Sequence, residues 1–261
     1  MKYWAILIGC FVAVSASAQG WSIPSKSGQM QFADLVYIET IFNTKGHQAK
    51  SDTLPGTGFL LSQDSVVYLV TTKHQLLSVL HNGSLLRIGG GMSEKNVKLV
   101  PFNPRSNRKS LLLSAKQDIA IISFKKYRKD LNFLLQLGCV PVPVDSVEWT
   151  KSYLPGSSFF LPFYQSFYDN WARHVSAGLS PGTIKAYQNQ TATFTINHFM
   201  AVSFCGSPVF KDDKIIGMVT HPVALNSIDA YLTNPYQKSK GAVVVKSKYI
   251  LQLLKKLQQQ E

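Results

Sequence analysis

Short apolar or alternating segments recur along the chain, and turn residues separate them. The clearest are DLVYIETIFN (34–43), VVYLVTT (66–72) and DIAIISF (118–124). Nothing alternates with them in the strand–helix–strand manner of parallel sheets, so the pattern predicts an all-β sandwich or barrel. The other predicted strands lie at 57–61, 85–88, 97–101, 139–144, 157–162, 191–196, 208–210, 215–220 and 242–245.

Only the C-terminal end departs from this pattern. In KSKYILQLLKKLQQQ the apolar positions Ile250, Leu253, Leu254 and Leu257 follow a spacing of i, i+3, i+4 and i+7, which predicts one amphipathic helix packed on the preceding strands. The segment LGCVPVPVDSVEW (137–149) has the proline content of a connection between two halves. We therefore predict a two-lobed β protein, with lobes at about 19–136 and 137–261.

The first residues, MKYWAILIGCFVAVSASAQG, have the layout of a secretory signal with cleavage after Ala18. A lipoprotein signal is the alternative, because the run from Leu7 to Cys10 fits a lipid-acceptor box. No later run is long and apolar enough to span a bilayer. We expect a mature protein without a transmembrane segment that is secreted or periplasmic.

Removal of residues 1–18 takes away Lys2 and leaves 26 basic against 14 acidic residues, a net charge of +12. This excess favours anionic surfaces or glycans as partners, and an ordinary solvated surface is the alternative. The basic clusters Arg105–Lys109 and Lys125–Lys129 are not interleaved with aromatic residues in the way that favours base stacking. Nucleic acid is therefore not expected as a partner.

Two cysteines remain in the mature chain, Cys139 and Cys205. In an oxidising compartment such a pair forms a disulfide unless the thiols are held apart or used chemically. Their spacing matches no zinc site, and the sequence contains no cofactor motif. We expect neither a metal nor a cofactor.

Three segments carry candidate chemistry. His74 follows directly on the strand 66–72, at a rigid rim where a general base is well held. Asp118 precedes a very apolar strand, where a carboxylate can accept the second ring N–H of a histidine. Cys205 lies beside Gly206 in the turn SFCGSPVF (203–210). We expect its sulfur to project outward among backbone N–H groups, as an acyl-transfer nucleophile requires.

Together these segments resemble the trypsin-like (chymotrypsin-fold) peptidases. The matching stretches are GTGFLL, VTTKH, DIAII and CGSPVF with IIGMV behind it, in that order, with 44 residues from His to Asp and 87 from Asp to Cys. The resemblance covers about residues 33–258. It implies two antiparallel six-stranded Greek-key barrels followed by the C-terminal α-helix, a peptide or protein substrate, and an active site in the cleft between the barrels.

By this resemblance His74 is the general base and acid, Asp118 orients it, and Cys205 is the nucleophile of an acyl-enzyme mechanism. Most cellular members have serine at that position. In having cysteine there, this sequence resembles the viral chymotrypsin-like cysteine peptidases. The backbone N–H groups of Ser203 and Cys205 are implied to form the oxyanion hole. Ser203 replaces the usual glycine, and Phe204 replaces the usual Asp or Asn.

The resemblance also implies the substrate-binding pocket. Its floor is expected at Phe199, and its wall at Thr220 and His221, where the imidazole offers a hydrogen bond to a polar side chain such as glutamine. Activation by zymogen cleavage is not expected, because no IVGG-like start is present. Two alternatives to a peptidase stay open: a catalytically inactive homologue that acts as a binding module, and a protein whose function depends on its cationic surface.

Overall fold

Two β-sheets form the framework of the described part of the protein. A computed structural model describes residues 35–42, 53–91, 97–169, 172–198, 201–223 and 241–261. The predicted signal segment and Phe199 lie outside the described residues. None of the helices in the described ranges has the length and apolar character to cross a membrane.

The N-terminal half forms one sheet of eight strands with the order β5-β4-β1-β2-β3-β7-β6, and β8 pairs in parallel with β2. This eight-stranded sheet stands where a six-stranded barrel was predicted, and two of its strands, β6 and β8, have only three and two residues. The strands are β1 (Leu35–Ile41), β2 (Thr53–Gln63), β3 (Val66–Thr71), β4 (Leu85–Gly90), β5 (Lys98–Phe102), β6 (Leu111–Leu113), β7 (Ala120–Ser123) and β8 (Val142–Pro143).

The C-terminal half is a closed six-stranded antiparallel barrel with the order β10-β11-β14-β13-β12-β9. The all-β class and this barrel are confirmed, whereas the division between lobes near residue 137 stays a prediction. The barrel strands are β9 (Ser158–Asp169), β10 (Ala172–Tyr187), β11 (Thr193–Asn197), β12 (Pro208–Lys211), β13 (Lys214–Pro222) and β14 (Ala242–Lys246).

The helix at the C-terminal end is confirmed as α3 (Ser247–Gln260), and all four of the apolar positions predicted to face the core are buried. Two further helices, α1 (Lys73–Asn82) and α2 (Arg128–Gln136), were not predicted. Each is short and ends close to a glycine with positive φ, Gly83 at 73° and Gly138 at 87°. Such a glycine terminates a helix at little conformational cost.

Each half has its own apolar core, and a third, smaller cluster joins them. Tyr164 and Val175 of the long β9–β10 hairpin pack against Leu35 and Tyr37 of β1. The Tyr164 hydroxyl donates to the Gly91 carbonyl at 3.1 Å. The hairpin therefore fixes the barrel against the N-terminal sheet, and this contact positions the residues described next.

Candidate active site

His74 and Asp118 form a direct pair, although 44 residues separate them. Strand β3 ends at Thr71, and His74 is the second residue of α1. Asp118 lies in the loop between β6 and β7. One carboxylate oxygen of Asp118 accepts from the His74 ring nitrogen Nδ1 at 2.6 Å, and the other accepts from the His74 backbone N–H at 2.9 Å.

This double contact determines the protonation pattern of the imidazole. An ionised carboxylate only accepts hydrogen bonds, so Nδ1 carries the proton and Nε2 of the neutral ring is the basic nitrogen. Nε2 lies 3.4 Å from the Thr72 hydroxyl. The pair therefore has the tautomer that a general base requires.

The Asp118 carboxylate is kept ionised by its surroundings. Burial opposes ionisation, but the charge and hydrogen bonds of His74 and the nearby Lys73 outweigh it and hold the pKa of Asp118 below its ordinary value. The loop around it is also anchored, because Lys73 Nζ donates to the Ser114 carbonyl at 3.1 Å and the Ser114 N–H donates to Ile119 at 2.9 Å. Asp118 is therefore ionised, and its loop is held in place beside His74.

Asp118 also caps helix α1. Thr72, the N-cap residue, makes no side-chain capping hydrogen bond, and the first N–H groups of a helix have no partner within the helix. Asp118 supplies an acceptor to one of them, and a negative charge near a helix N-terminus is favourable. The carboxylate therefore stabilises α1 as well as orienting the imidazole.

Cys205 follows a single turn of 3₁₀ helix, Val202–Phe204, and precedes Gly206, whose φ is 92°. Its backbone carbonyl accepts from the Thr57 N–H of β2 at 2.8 Å. A Cβ atom at Gly206 would lie 1.7 Å from the Thr57 carbonyl oxygen and 3.0 Å from the Thr71 hydroxyl. The turn with Cys205 thus lies against β2 and against Thr71, the last residue of β3, which is three positions before His74 in the chain.

The expectation that the sulfur projects outward was wrong. Cys205 is 0% exposed and belongs to the barrel core, because its turn folds back beneath β2. The alternative of a disulfide is also excluded, since neither Cys139 nor Cys205 is in one. Cys139 lies in the core of the N-terminal sheet, where its Sγ donates to the Leu35 carbonyl at 3.2 Å.

The predicted oxyanion-hole residues lie in this turn. The Cys205 N–H donates to the Val202 carbonyl at 3.0 Å, so in this conformation it is engaged within the protein. Ser203 is buried, and its hydroxyl has no hydrogen-bond partner among the residues that the structure describes. The assignment of Ser203 and Cys205 to an oxyanion hole stays a prediction, and it requires the turn to rearrange when substrate binds.

Of the predicted substrate-binding residues, Thr220 and His221 lie at the end of β13. The Thr220 hydroxyl donates to the Val243 carbonyl and lies 3.1 Å from Nδ1 of His221. Burial lowers the pKa of His221; of the two nearby charges, that of Asp118 raises this pKa and that of His74 lowers it. His221 therefore lies within electrostatic range of the His74–Asp118 pair.

An aromatic cluster surrounds the residue next to Phe199. His198 is mostly buried, with Phe159 and Phe204 both centred 6.2 Å from its ring. Phe204 stacks on Phe163 at 3.9 Å between centroids. This packing explains why an aromatic side chain occupies the position just before Cys205, since Phe204 is a core residue.

Thr57 is the site residue that sequence reasoning missed. Its hydroxyl donates to the Ser203 carbonyl at 2.6 Å and accepts from the Tyr164 N–H at 3.2 Å. It thus connects β2, the β9–β10 hairpin and the Cys205 turn. In the sequence Thr57 lies between two glycines at the start of the predicted strand 57–61, and that position was the available signal. Among the described residues, no group of three or more His, Cys, Asp or Glu side chains could hold a metal ion.

Known structures share this architecture at very low sequence identity. Two are scabies mite inactivated protease paralogues. Paralogue S-I1 has 13% sequence identity and a TM-score of 0.55, and the match covers 88% of this chain and 96% of that one. Paralogue S-D1 has 8% identity and a TM-score of 0.53, with coverages of 85% and 91%. A mutant of human heparin binding protein matches at 9% and 0.54, covering 88% and 92%. The chain has the trypsin-like fold.

No protein-family model and no curated protein sequence matches the chain. Because the identities are so low, the trypsin-like fold is what these structures have in common with this chain. Activity must be argued from the residues of the site itself.

Proposed function

We propose that the protein is an exported peptidase of trypsin-like fold that hydrolyses peptide bonds with Cys205 as the nucleophile. The observation that carries the proposal is the double hydrogen bond from His74 to Asp118. It gives the imidazole a fixed orientation and a basic Nε2, which is what a general base requires. Export by the segment 1–18 is part of the proposal.

In the proposed reaction the Cys205 thiol transfers its proton to Nε2 of His74, and the sulfur attacks the carbonyl carbon of the peptide. When the carbon–nitrogen bond breaks, the imidazolium returns that proton to the departing amine, and a thioester remains. Water, deprotonated by His74, attacks the thioester carbon, the carbon–sulfur bond breaks, and the imidazolium returns the proton to the Cys205 sulfur as the new carboxyl terminus leaves. Asp118 stays ionised and stabilises the imidazolium at each step.

Two features of the Cys205 turn set conditions on this mechanism. The nucleophile is buried, and its N–H donates to Val202. A productive complex therefore needs the peptide units of the turn to move so that the sulfur and an N–H face the substrate. Loss of one oxyanion donor typically costs about 100- to 1000-fold in turnover, so turnover in the conformation described is expected to be low.

The same two features favour a second candidate function, a binding module that keeps the fold without turnover. The names of the scabies mite neighbours describe inactivated proteases of this fold. In this alternative His74 and Asp118 are retained for their structural contact, and the cleft binds a peptide without cleaving it.

A cleavage assay separates the two functions. The purified protein is incubated under reducing conditions with a diverse peptide library, and new termini are identified by mass spectrometry. A peptidase predicts cleavage that falls by at least about 1000-fold in Cys205→Ala and His74→Ala. Cys139→Ala, which removes the other thiol, is the matched control and is expected to retain activity. Absence of cleavage by the wild type, or equal cleavage by all variants, contradicts the peptidase and favours the binding module.

A further inference from the structure

A second pocket lies outside the candidate active site, where β14 ends and α3 begins. Its volume is about 430 Å³, within the range of small-molecule sites. None of the predicted catalytic or substrate-binding residues lines it. We call it the α3 pocket. Three aromatic rings and three lysines dominate its wall: Trp149, Tyr153, Tyr187, Lys151, Lys246 and Lys248.

Lys246 is a buried cation without an anionic partner. The residue is 3% exposed, and lysine is almost never buried to this extent unless it is paired. Its ammonium donates to the Gln188 carbonyl and lies 4.2 Å from the centre of the Tyr187 ring. Among the described residues no carboxylate lies within ion-pair distance, and two of its three N–H donors remain for a ligand.

The start of α3 adds to this positive charge. Lys246 is the N-cap residue, and Lys248 is in the first turn, which contains no acidic residue and receives no side-chain cap. Cations at the N-terminus of a 14-residue helix oppose the helix dipole. A bound anion would relieve this repulsion and accept from the first N–H groups of α3, which have no acceptor within the helix.

The acidic groups near the α3 pocket are already engaged. One oxygen of Glu148 accepts from three successive backbone N–H groups, those of Trp149, Thr150 and Lys151, at 3.1, 3.1 and 3.2 Å. Asp212 pairs at 3.4 Å with Lys151 at the exposed rim. Among the described residues neither carboxylate forms an ion pair with Lys246 or Lys248, and these two lysines outnumber Glu148, the one carboxylate in the pocket lining.

We propose that the α3 pocket is a binding site for a small molecule that bears a tetrahedral oxyanion, a phosphate or sulfate group. Lys246, Lys248 and the first turn of α3 hold the oxyanion. The exposed face of Trp149 and the ring of Tyr153 contact the body of the molecule, as aromatic walls do in small-molecule sites. This inference does not depend on the proposed peptidase activity.

Calorimetric titration of the purified protein tests the inference. The probes are inorganic phosphate and glucose 6-phosphate, with glucose as the uncharged control, all at one ionic strength. We expect saturable one-to-one binding of glucose 6-phosphate and none of glucose. Lys246→Met is expected to weaken binding more than tenfold, because it removes a charge-assisted contact. Lys185→Met, at an exposed position in β10, is the control and leaves binding unchanged.

Lys248→Gln is a second variant that tests the inference without changing the buried residue Lys246. The Lys248 side chain is only partly buried, so the variant folds even where Lys246→Met does not, and it is expected to weaken binding several-fold. Equal affinity for inorganic phosphate and glucose 6-phosphate supports a site for the oxyanion alone, and tighter binding of the ester supports a role for the aromatic wall. Absence of saturable binding, or binding unchanged in both lysine variants of the pocket, overturns the inference.

Discussion

Replacing Thr57 by valine removes the hydroxyl that connects three segments of the fold and changes little else. Valine has nearly the same shape, so the core around β2 stays filled. The Ser203 carbonyl loses a donor at 2.6 Å, and the Tyr164 N–H loses its acceptor at 3.2 Å. Both groups are buried and far from alternative partners in solvent.

The expected cost follows from these two losses. A buried polar group left without its partner costs about 1–3 kcal/mol, so two such groups predict a loss of roughly 2–6 kcal/mol in the free energy of unfolding. For a domain of this size 1 kcal/mol corresponds to about 2–4 °C, which predicts a fall of roughly 4–24 °C in the melting temperature. This is a large effect for a change that keeps the volume constant.

Calorimetric melting of three proteins tests the reasoning: the wild type, Thr57→Val and Thr57→Ser. The serine variant keeps the hydroxyl and loses only a buried methyl group, which costs about 1 kcal/mol. Valine is therefore expected to melt below serine. If the valine variant melts at or above the serine variant, the hydroxyl does not connect the Cys205 turn to β2 as described.

Three further predictions concern the same region. The pKa of Asp118 is lowered in the folded state, so Asp118→Asn removes stability that is present above about pH 4 and vanishes at lower pH. Urea unfolding measures the difference in free energy of unfolding between wild type and variant, and a difference that does not shrink below about pH 4 contradicts this. Gly206→Ala meets a β2 carbonyl oxygen at 1.7 Å and is expected to lose more than about 3 kcal/mol or fail to fold, whereas Gly83→Ala, in open space, costs about 1 kcal/mol. Ellman's reagent is expected to react with Cys139 and Cys205 in urea but slowly in the native protein, because they are 3% and 0% exposed; fast native reaction of Cys205 contradicts its burial.

The site residues that the sequence could predict are those that directly precede or follow a predicted strand. His74 and Asp118 each adjoin a strongly apolar strand, and β3 and β7 are neighbours in the sheet. Residues that begin or end neighbouring strands lie near one another, so their pairing was within reach of pattern reasoning. The all-β class and the C-terminal helix were predictable for the same reason, since both produce a regular period.

The parts that sequence could not predict depend on contacts between distant segments. Helices α1 and α2 have ten and nine residues, and packing rather than propensity decides whether segments of this length are helical. The burial of Cys205 depends on how its turn packs against β2, where the Thr57 N–H donates to the Cys205 carbonyl. No local pattern encodes a partner 148 residues away.

The two roles of Asp118 bear on how variants of this chain are interpreted. Because the carboxylate caps α1 and also holds the imidazole, Asp118→Asn is expected to lower stability whether or not the cleft turns over substrate. A loss of activity in that variant therefore has two sources, a weakened helix and a misplaced imidazole. A melting curve recorded beside the activity measurement separates them.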